Sequence, residues 1–381
     1  MRVAINLLTD HPDTPSGAHW GWSKTVAEMG KRLETDERLY VLVSPRSRYL
    51  HQGYGPGVSF ITYPWSNERR IPRTLSEHLY SPFRLPLSGI DIFNTQMAPA
   101  VNFPWSLVVH MKTMHAYTEP ASVKLLPRVY RRLSYPRTAR VAKAIVINSE
   151  SLRSEVKRYL DVDDSKLRLI TEGVDHDLFN PGDAELSRKV VAEHGVTKPF
   201  VLFVSSLWPY KNCHGLLRAW AQVRGELGDR QLAIVGPLRD EKYVTEVRAL
   251  IAELGIGSDV VFVGGVPNDQ VLHFYRAADV FVYPSFNETF GLPILEAMAS
   301  GCPVVTSDVT SMPEIAGDAA VLINPAEPAS IARGMLEALG GRQRLLDHGL
   351  RRAAQFTWGA TAAATLDLYR ELTEQRRHAR K

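Results

Sequence analysis

Cysteine is almost absent from this chain: Cys213 and Cys302 are the two in 381 residues. Two thiols make no disulfide framework and neither stands at a metal-ligand spacing, so the pattern points to a reducing compartment. Long apolar runs are missing too; none approaches the ~18 residues that a membrane span needs. The opening MRVAINLLTDHP has too short an apolar stretch for a signal peptide, and no small-residue cleavage site follows it. Charge of one sign is scarce. The chain carries 45 Lys and Arg against 41 Asp and Glu, a net charge of +4, which speaks against nucleic acid as a partner. No segment repeats at a period of ~20–50 residues, which argues against a solenoid. A hydrophobic share of 45% and a charged share of 23% exclude a disordered chain. The expectation is a soluble, cytoplasmic protein of two domains, at ~150 residues per domain.

What is present is an alternation of short β-branched runs with longer helical stretches, the pattern of parallel sheets covered by helices. In the first half the runs are Arg2–Leu8, Leu39–Ser44, Ile90–Asn94, Leu107–Met111 and Ala144–Asn148. Helical periodicity marks Thr25–Leu33 and Ser151–Tyr159. The rhythm restarts at Phe200–Ser205 and continues through Gln231–Gly236, Val260–Gly264, Val280–Pro284, Pro303–Ser307 and Ala320–Ile323. Between the two series lies the breaker cluster Phe179-Asn180-Pro181-Gly182-Asp183. This predicts one doubly wound domain over residues 1–180, a second over 181–360, and an Ala/Leu helix over 361–381. In such sheets ligands sit outside the carboxyl ends of the strands, so the loops after strands carry the function.

The most informative of these loops follows Val280–Pro284. It holds Asn287, Glu288 and Thr289, then Phe290-Gly291-Leu292-Pro293 opens a helix over Ile294–Ser300. Proline suits a first helical turn, where its missing N–H has no intrahelical partner. Gly291 admits close approach to the backbone. The unsatisfied N–H groups and the helix dipole make this an anion site fit for a phosphate. Glu296, one turn inside, is placed to accept from two adjacent hydroxyls, and Glu288 to accept from a sugar hydroxyl. Capping acids at an ordinary helix entry give the same pattern.

The pair Glu288 and Glu296 with Phe-Gly-Leu-Pro between them resembles the signature of the retaining glycosyltransferases of family 4, which have the GT-B fold. The following GCPVVTSDVTSMPEIAGDAA, with Pro313 and Glu314, is similar to that family's next strand and loop. The resemblance implies two Rossmann-like doubly wound domains facing a central cleft, the first binding the acceptor and the second the nucleotide sugar. It also implies that the C-terminal helix crosses back to the first domain. By resemblance Glu288 contacts the donor sugar, Glu296 holds the ribose hydroxyls, and the backbone of Phe290, Gly291 and Leu292 binds the diphosphate.

A second match is VLFVSSLWPYKNCHGLLRAW, where Lys211 stands at the family's diphosphate lysine. The family's usual loop arginine is replaced: Ser206 and Tyr210 occupy its places, and Arg239 after the next strand is a weak substitute. Gly264, in Val263-Gly264-Gly265-Val266, resembles the loop that meets the base through backbone atoms. In the first half, the loop Pro15 to Trp22 offers Gly17 as the glycine that touches the donor. Trp20 and Trp22 fit either an acceptor ring or packing of the helix start. LVVHMKTMHAYTEP offers His115, past the strand, as the histidine near the reacting sugar, while His110 falls inside the apolar run and reads as a satisfied core histidine. Thr171-Glu172-Gly173-Val174-Asp175 matches the family's Gly-Val-Asp. Asp175-His176-Asp177 is not read as a metal site, because three consecutive residues rarely face one ion.

The implied activity is transfer of a glycosyl unit from a nucleoside-diphosphate sugar, GDP or UDP by family habit, to a hydroxyl on a glycan, glycolipid or small-molecule glycoside. Glu288, His115 and Lys211 would serve the chemistry, with no protein nucleophile, no cofactor and no divalent metal. Two alternatives stand beside it: a non-catalytic sugar-nucleotide-binding subunit and a GT-B sugar-nucleotide epimerase. Finally, Pro120 to Ser149 holds Lys124, Arg128, Arg131, Arg132, Arg137, Arg140 and Lys143 and no acid before Ser149. Such a stretch is compatible with weak contact to anionic lipid at the inner face of the membrane, and equally with a solvated helix face.

Overall fold

The computed structural model describes residues 1–8, 17–50, 54–63, 89–96 and 106–379. Contacts within the chain gather into two units, Met1–Gly173 with Trp358–Lys381, and Val174–Thr357. The second unit begins at Val174, five residues ahead of the breaker cluster: Val174 bridges to Thr357, and Phe179, the cluster's first residue, is buried in that unit's core.

The first unit is a parallel sheet in the order β3-β2-β1-β4-β5-β6-β7. Its strands are β1 (Arg2–Asn6), β2 (Arg38–Val43), β3 (Val58–Thr62), β4 (Ile92–Gln96), β5 (Ser106–His110), β6 (Ala144–Ile147) and β7 (Leu167–Leu169). Both faces are covered, which is why these strands read as apolar runs rather than alternating ones. Successive residues feed opposite cores. Val3 and Ile5 join Val41, Ile92 and Val108 on one face, while Ala4 joins Leu42, Phe93 and Val109 on the other. The helix Gly17–Gly30 begins eight residues before the periodicity places it, so Gly17 to Trp22 form its first turns and not a loop. The C-terminal helix Trp358–His378 packs on it. Gly21 is required there: a Cβ would stand 2.9 Å from the Trp358 ring. Arg370 fixes the same helix by two bonds of 2.9 Å to the buried Glu37, whose carboxyl is held low by the guanidinium.

The second unit repeats the plan in the order β10-β9-β8-β11-β12-β13. Here β8 is Phe200–Val204, β9 Gln231–Val235, β10 Val260–Gly264, β11 Val280–Tyr283, β12 Val304–Ser307 and β13 Ala320–Ile323. All its pairings are parallel, and two apolar cores again flank the sheet. In each unit the connections reverse direction between the first and fourth strands, β1 beside β4 and β8 beside β11. The carboxyl ends of such a strand pair form the ligand position of a doubly wound sheet. Every strand read from the sequence is present within two residues at each end; the edge strands β3 and β7 were not foreseen.

Candidate active site

In the second unit the loops after β8 and β11 meet. The β8 loop turns through a single 3-10 turn, Pro209–Lys211, and delivers Asn212 in the left-handed conformation at φ 59°. Asn tolerates that region better than branched residues do. Its side chain caps the helix Cys213–Val223, accepting from Gly215 N at 3.1 Å. Its Nδ2 donates to the carbonyls of Pro284, at 3.1 Å, and Pro325, at 2.7 Å. One buried amide therefore ties together the chain segments after β8, β11 and β13.

Lys211, the residue before it, reaches across to β11. Its Nζ donates to Tyr283 Oη at 2.7 Å and to Glu288 Oε1 at 2.5 Å, and Tyr283 Oη donates to the same carboxylate oxygen at 2.8 Å. The ammonium lies 5.0 Å from the Tyr210 ring centre and 5.1 Å from that of Tyr283. Both partners of the ion pair are largely sheltered, with 12% and 13% of their side chains exposed. Burial and the Glu288 charge push the Tyr283 phenol well above its usual range, so it stays a donor. Two of the three ammonium N–H groups are engaged, which leaves one to offer to an incoming anion.

Glu288 is held from its backbone as well. Its N–H donates to Thr310 Oγ1 at 3.2 Å, and Ser311 Oγ donates to the carbonyls of Glu288 and Phe290 at 2.9 and 3.0 Å. Thr310 sits at φ 55°, a strained conformation for a β-branched residue and of the kind found where a loop is held for function. Gly291, at φ 98°, is the N-cap of the helix Leu292–Ala299 and lends it no side-chain cap. The helix entry thus presents backbone N–H groups beside the ion pair. One turn in, Glu296 accepts from the buried Tyr275 Oη at 3.1 Å, and burial pushes its carboxyl up to about 7. Gly264 ends β10 at φ 80° with open space where a Cβ would stand, and its carbonyl accepts from Gly236 N at 2.8 Å. Arg239 is exposed. Among the described residues, no three His, Cys, Asp or Glu side chains gather as a metal site. Lys211, Glu288, Glu296, Gly291 and Gly264 all belong to one unit. Tyr283, Asn212 and Thr310 were missed by sequence reasoning, Tyr283 because it ends an apolar run.

In the first unit Gly17 opens its helix, and Pro15 and Ser16 lie outside the described residues. Trp22 is buried and meets the edge of His110 at 4.6 Å, whereas Trp20 is exposed. His115 starts the short helix His115–Thr118 with its backbone N–H on Thr113 Oγ1 at 3.1 Å. His110 is not a satisfied core histidine: it is buried, yet its Nε2 has no hydrogen-bond partner among the described residues. Burial, and secondarily the Lys112 charge, lowers it to about 3, so the ring is neutral at physiological pH. It lines a cavity of about 30 Å³ at the carboxyl ends of β5 and β6, with Trp22, Asn148, Thr361 and the ion pair Lys112–Glu172, which closes at 2.8 Å.

Comparison with known proteins follows this division. Residues 187–355 match the model for glycosyl transferases group 1, and residues 21–178 match that for glycosyltransferase family 4. A D-inositol 3-phosphate glycosyltransferase 2 of Catenulispora acidiphila is 33% identical over 250 residues, 63% of this chain and 58% of that protein. The chain spans about three fifths of the length of several of the curated relatives it matches, and under a third of others. Sucrose-phosphate synthase from Thermosynechococcus elongatus superposes with a TM-score of 0.76 at 20% identity, over 98% of this chain and 100% of that one. Anabaena HepE in complex with UDP and glucose superposes at 0.73 and 18% identity, over 97% and 100%.

Proposed function

Because the chain belongs to the family 4 glycosyltransferases and carries their GT-B fold, we propose that it transfers a glycosyl unit from a nucleoside-diphosphate sugar to an acceptor hydroxyl, with retention at the anomeric carbon and without a divalent metal. The observation that carries this reading is the Lys211–Tyr283–Glu288 cluster, three residues from the uncapped helix entry at Gly291. In it the free Lys211 N–H and the backbone N–H groups of the helix entry receive the diphosphate. Glu288 accepts from a hydroxyl of the donor sugar, Glu296 accepts from the ribose hydroxyls, and the backbone around Gly264 meets the base. As the glycosidic bond to the β-phosphate breaks, Lys211 and the helix dipole stabilise the charge that grows on the leaving oxygen. That phosphate in turn accepts the proton of the attacking hydroxyl on the same face, so no protein nucleophile is required.

The first unit takes the acceptor in this scheme, a glycan, glycolipid or small-molecule glycoside, with Gly17 and His115 as its candidate residues. No helix among the described residues is long and apolar enough to cross a membrane, and we assign the reaction to the cytoplasm. The second reading, a sugar-nucleotide binder without transfer, is favoured by Ser206 and Tyr210 at the places of the family's loop arginine.

A melting-temperature panel of UDP, GDP, ADP and dTDP, with and without magnesium, tests donor recognition. A ligand at a hundredfold excess over its Kd stabilises the fold by ~2.7 kcal/mol. One base giving a magnesium-independent rise, followed by glycosyl transfer or slow donor hydrolysis, supports the transferase. A rise without hydrolysis of any donor sugar supports the binder, and no rise at all overturns both.

A further inference from the structure

The helix Leu125–Val141 is turned inside out. Its buried side chains, Tyr135, Thr138 and Ala139, cluster on one arc, and only these three are buried along the helix. The opposite arc presents Leu126, Val129, Tyr130 and Leu133 to solvent, at 80%, 46%, 42% and 74% exposure. The spacing 126, 129, 130, 133 is that of one helical face, and Leu125, 62% exposed, extends it. Five of the eleven large hydrophobic side chains exposed among the described residues sit on this one helix. An apolar face of this kind marks a surface that something covers.

Charge says what covers it. On the same outward arc, one turn further along, the apolar stripe gives way to the exposed Arg137 and Arg140, and Lys124 and Lys143 flank the helix. Among the described residues no ion pair joins any cation of 124–143 to a carboxylate, and the segment contains no acid. Arg128 and Arg132 bond the carbonyls of Pro120, at 3.1 Å, and Ala116, at 2.9 Å, which holds the helix to the segment before it. A solvated face would alternate charge signs; a face for a second copy of this chain would meet its own positive charge.

We propose that this helix is a membrane-surface anchor: Leu126, Val129, Tyr130 and Leu133 enter the headgroup region of an anionic bilayer while Arg137, Arg140 and Lys143 lie on the lipid phosphates. The helix lies in the interface and does not span it, and the attraction follows the sum of apolar insertion and charge. The inference is independent of the proposed transfer.

The test is cosedimentation of the whole chain with phosphatidylcholine vesicles, alone or with one third phosphatidylglycerol. The chain is expected to bind the anionic vesicles at least about tenfold more tightly, since each cation near such a surface contributes roughly fivefold. Leu126→Ser with Leu133→Ser, and separately Arg137→Gln with Arg140→Gln, are each expected to weaken that binding about tenfold. All four side chains are exposed, and an unchanged melting temperature shows that each variant folds. Equal binding to both vesicle types, no binding to either, or a Leu double variant that binds like the parent overturns the anchor. A parent dimer that the Leu double variant splits, with vesicle binding absent, assigns the face to a second copy and overturns it as well.

Discussion

The two units share the order of their first six strands and differ in how the described groups at their ligand ends are paired. In the second unit the ends of β8 and β11 are joined into a cluster in which ammonium, phenol and carboxylate satisfy one another and Asn212 spans three loops. In the first unit Asn6 Nδ2 reaches Thr95 Oγ1 at 3.2 Å across β1 and β4, but both side-chain polar atoms of Asn94, with Trp22 Nε1, His110 Nε2 and Asn148 Oδ1, are buried without a partner among the described residues. A buried polar group left unpaired costs about 1–3 kcal/mol. Chains keep such groups where water or a ligand completes them. Among the described residues the second unit's end is thus closed on itself, while the first leaves groups for water or a ligand to complete.

The largest effects are expected where the finished cluster is cut. Lys211→Ala removes the ammonium proposed to receive the diphosphate and leaves Glu288 buried without its cation. Transfer is expected to fall by roughly 10²–10³, the range for losing one preorganised charge donor, with nucleoside-diphosphate affinity falling beside it. Glu288→Gln keeps the shape and is expected to cost transfer on a similar scale while nucleotide affinity stays near that of the parent. Steady-state kinetics beside nucleotide titration separates the two. Parental turnover in Glu288→Gln would remove Glu288 from the sugar, and unchanged affinity in Lys211→Ala would move the diphosphate elsewhere.

Asn212→Ala comes next. It deletes a helix cap and orphans the carbonyls of Pro284 and Pro325. The expected loss is about 2–4 kcal/mol, a cap plus two buried bonds, read in denaturant unfolding. Asn6→Ala in the first unit deletes a bond to Thr95 and another from Leu8 N, at 3.1 Å, and is expected to cost less. Equal losses would erase the distinction between the two ends.

Part of this contrast was legible beforehand. Both sheets could be read because buried parallel strands are unbroken apolar runs, and β3 and β7 could not: β7 is the three residues Leu167–Leu169, and β3 alternates in burial as an edge strand does. The helix Gly17–Gly30 was read short because Gly17, Gly21 and two tryptophans resemble a loop until Trp358 is seen to require Gly21. At the site, Lys211, Gly291, Glu288 and Glu296 stood out by residue type and spacing. Tyr283 looked like core, and Asn212 and Thr310 act through backbone geometry that no local pattern announces. His110 was misjudged because position within an apolar run tells burial and not whether a partner is there.

Glu296 gives a smaller, pH-dependent effect in the second unit. Its folded pKa of about 7 lies above the usual carboxylate value, so below it one of the two oxygens carries a proton and accepts less well from ligand hydroxyls. Nucleoside-diphosphate affinity is expected to fall as pH drops below about 7, and Glu296→Gln to flatten that slope. The sign on stability is the reverse. The folded state holds this proton up to about 7 while the unfolded chain releases it near 4.5, so stability falls as pH rises between the two.

The first unit titrates the other way through His110, and this is the smallest effect expected. Its folded pKa is lowered to about 3 from 6.5 by burial. Between those values the unfolded chain binds a proton that the folded one refuses, so this histidine's contribution is intact above 6.5 and is lost as pH falls below it. Glu155, raised to about 7 by burial and the Glu119 charge, pulls in the opposite direction within the same unit. The measurement is therefore the difference between the parent and His110→Phe, unfolded in urea at pH 8 and at pH 5.5. At pH 8 the phenyl ring replaces an unpaired Nε2 with carbon, and the variant is expected to lie within about 1 kcal/mol of the parent or above it. At pH 5.5 its advantage is expected to widen. A variant that loses stability equally at both pH values would mean that Nε2 already has its partner in the free chain. The first unit would then be as finished as the second.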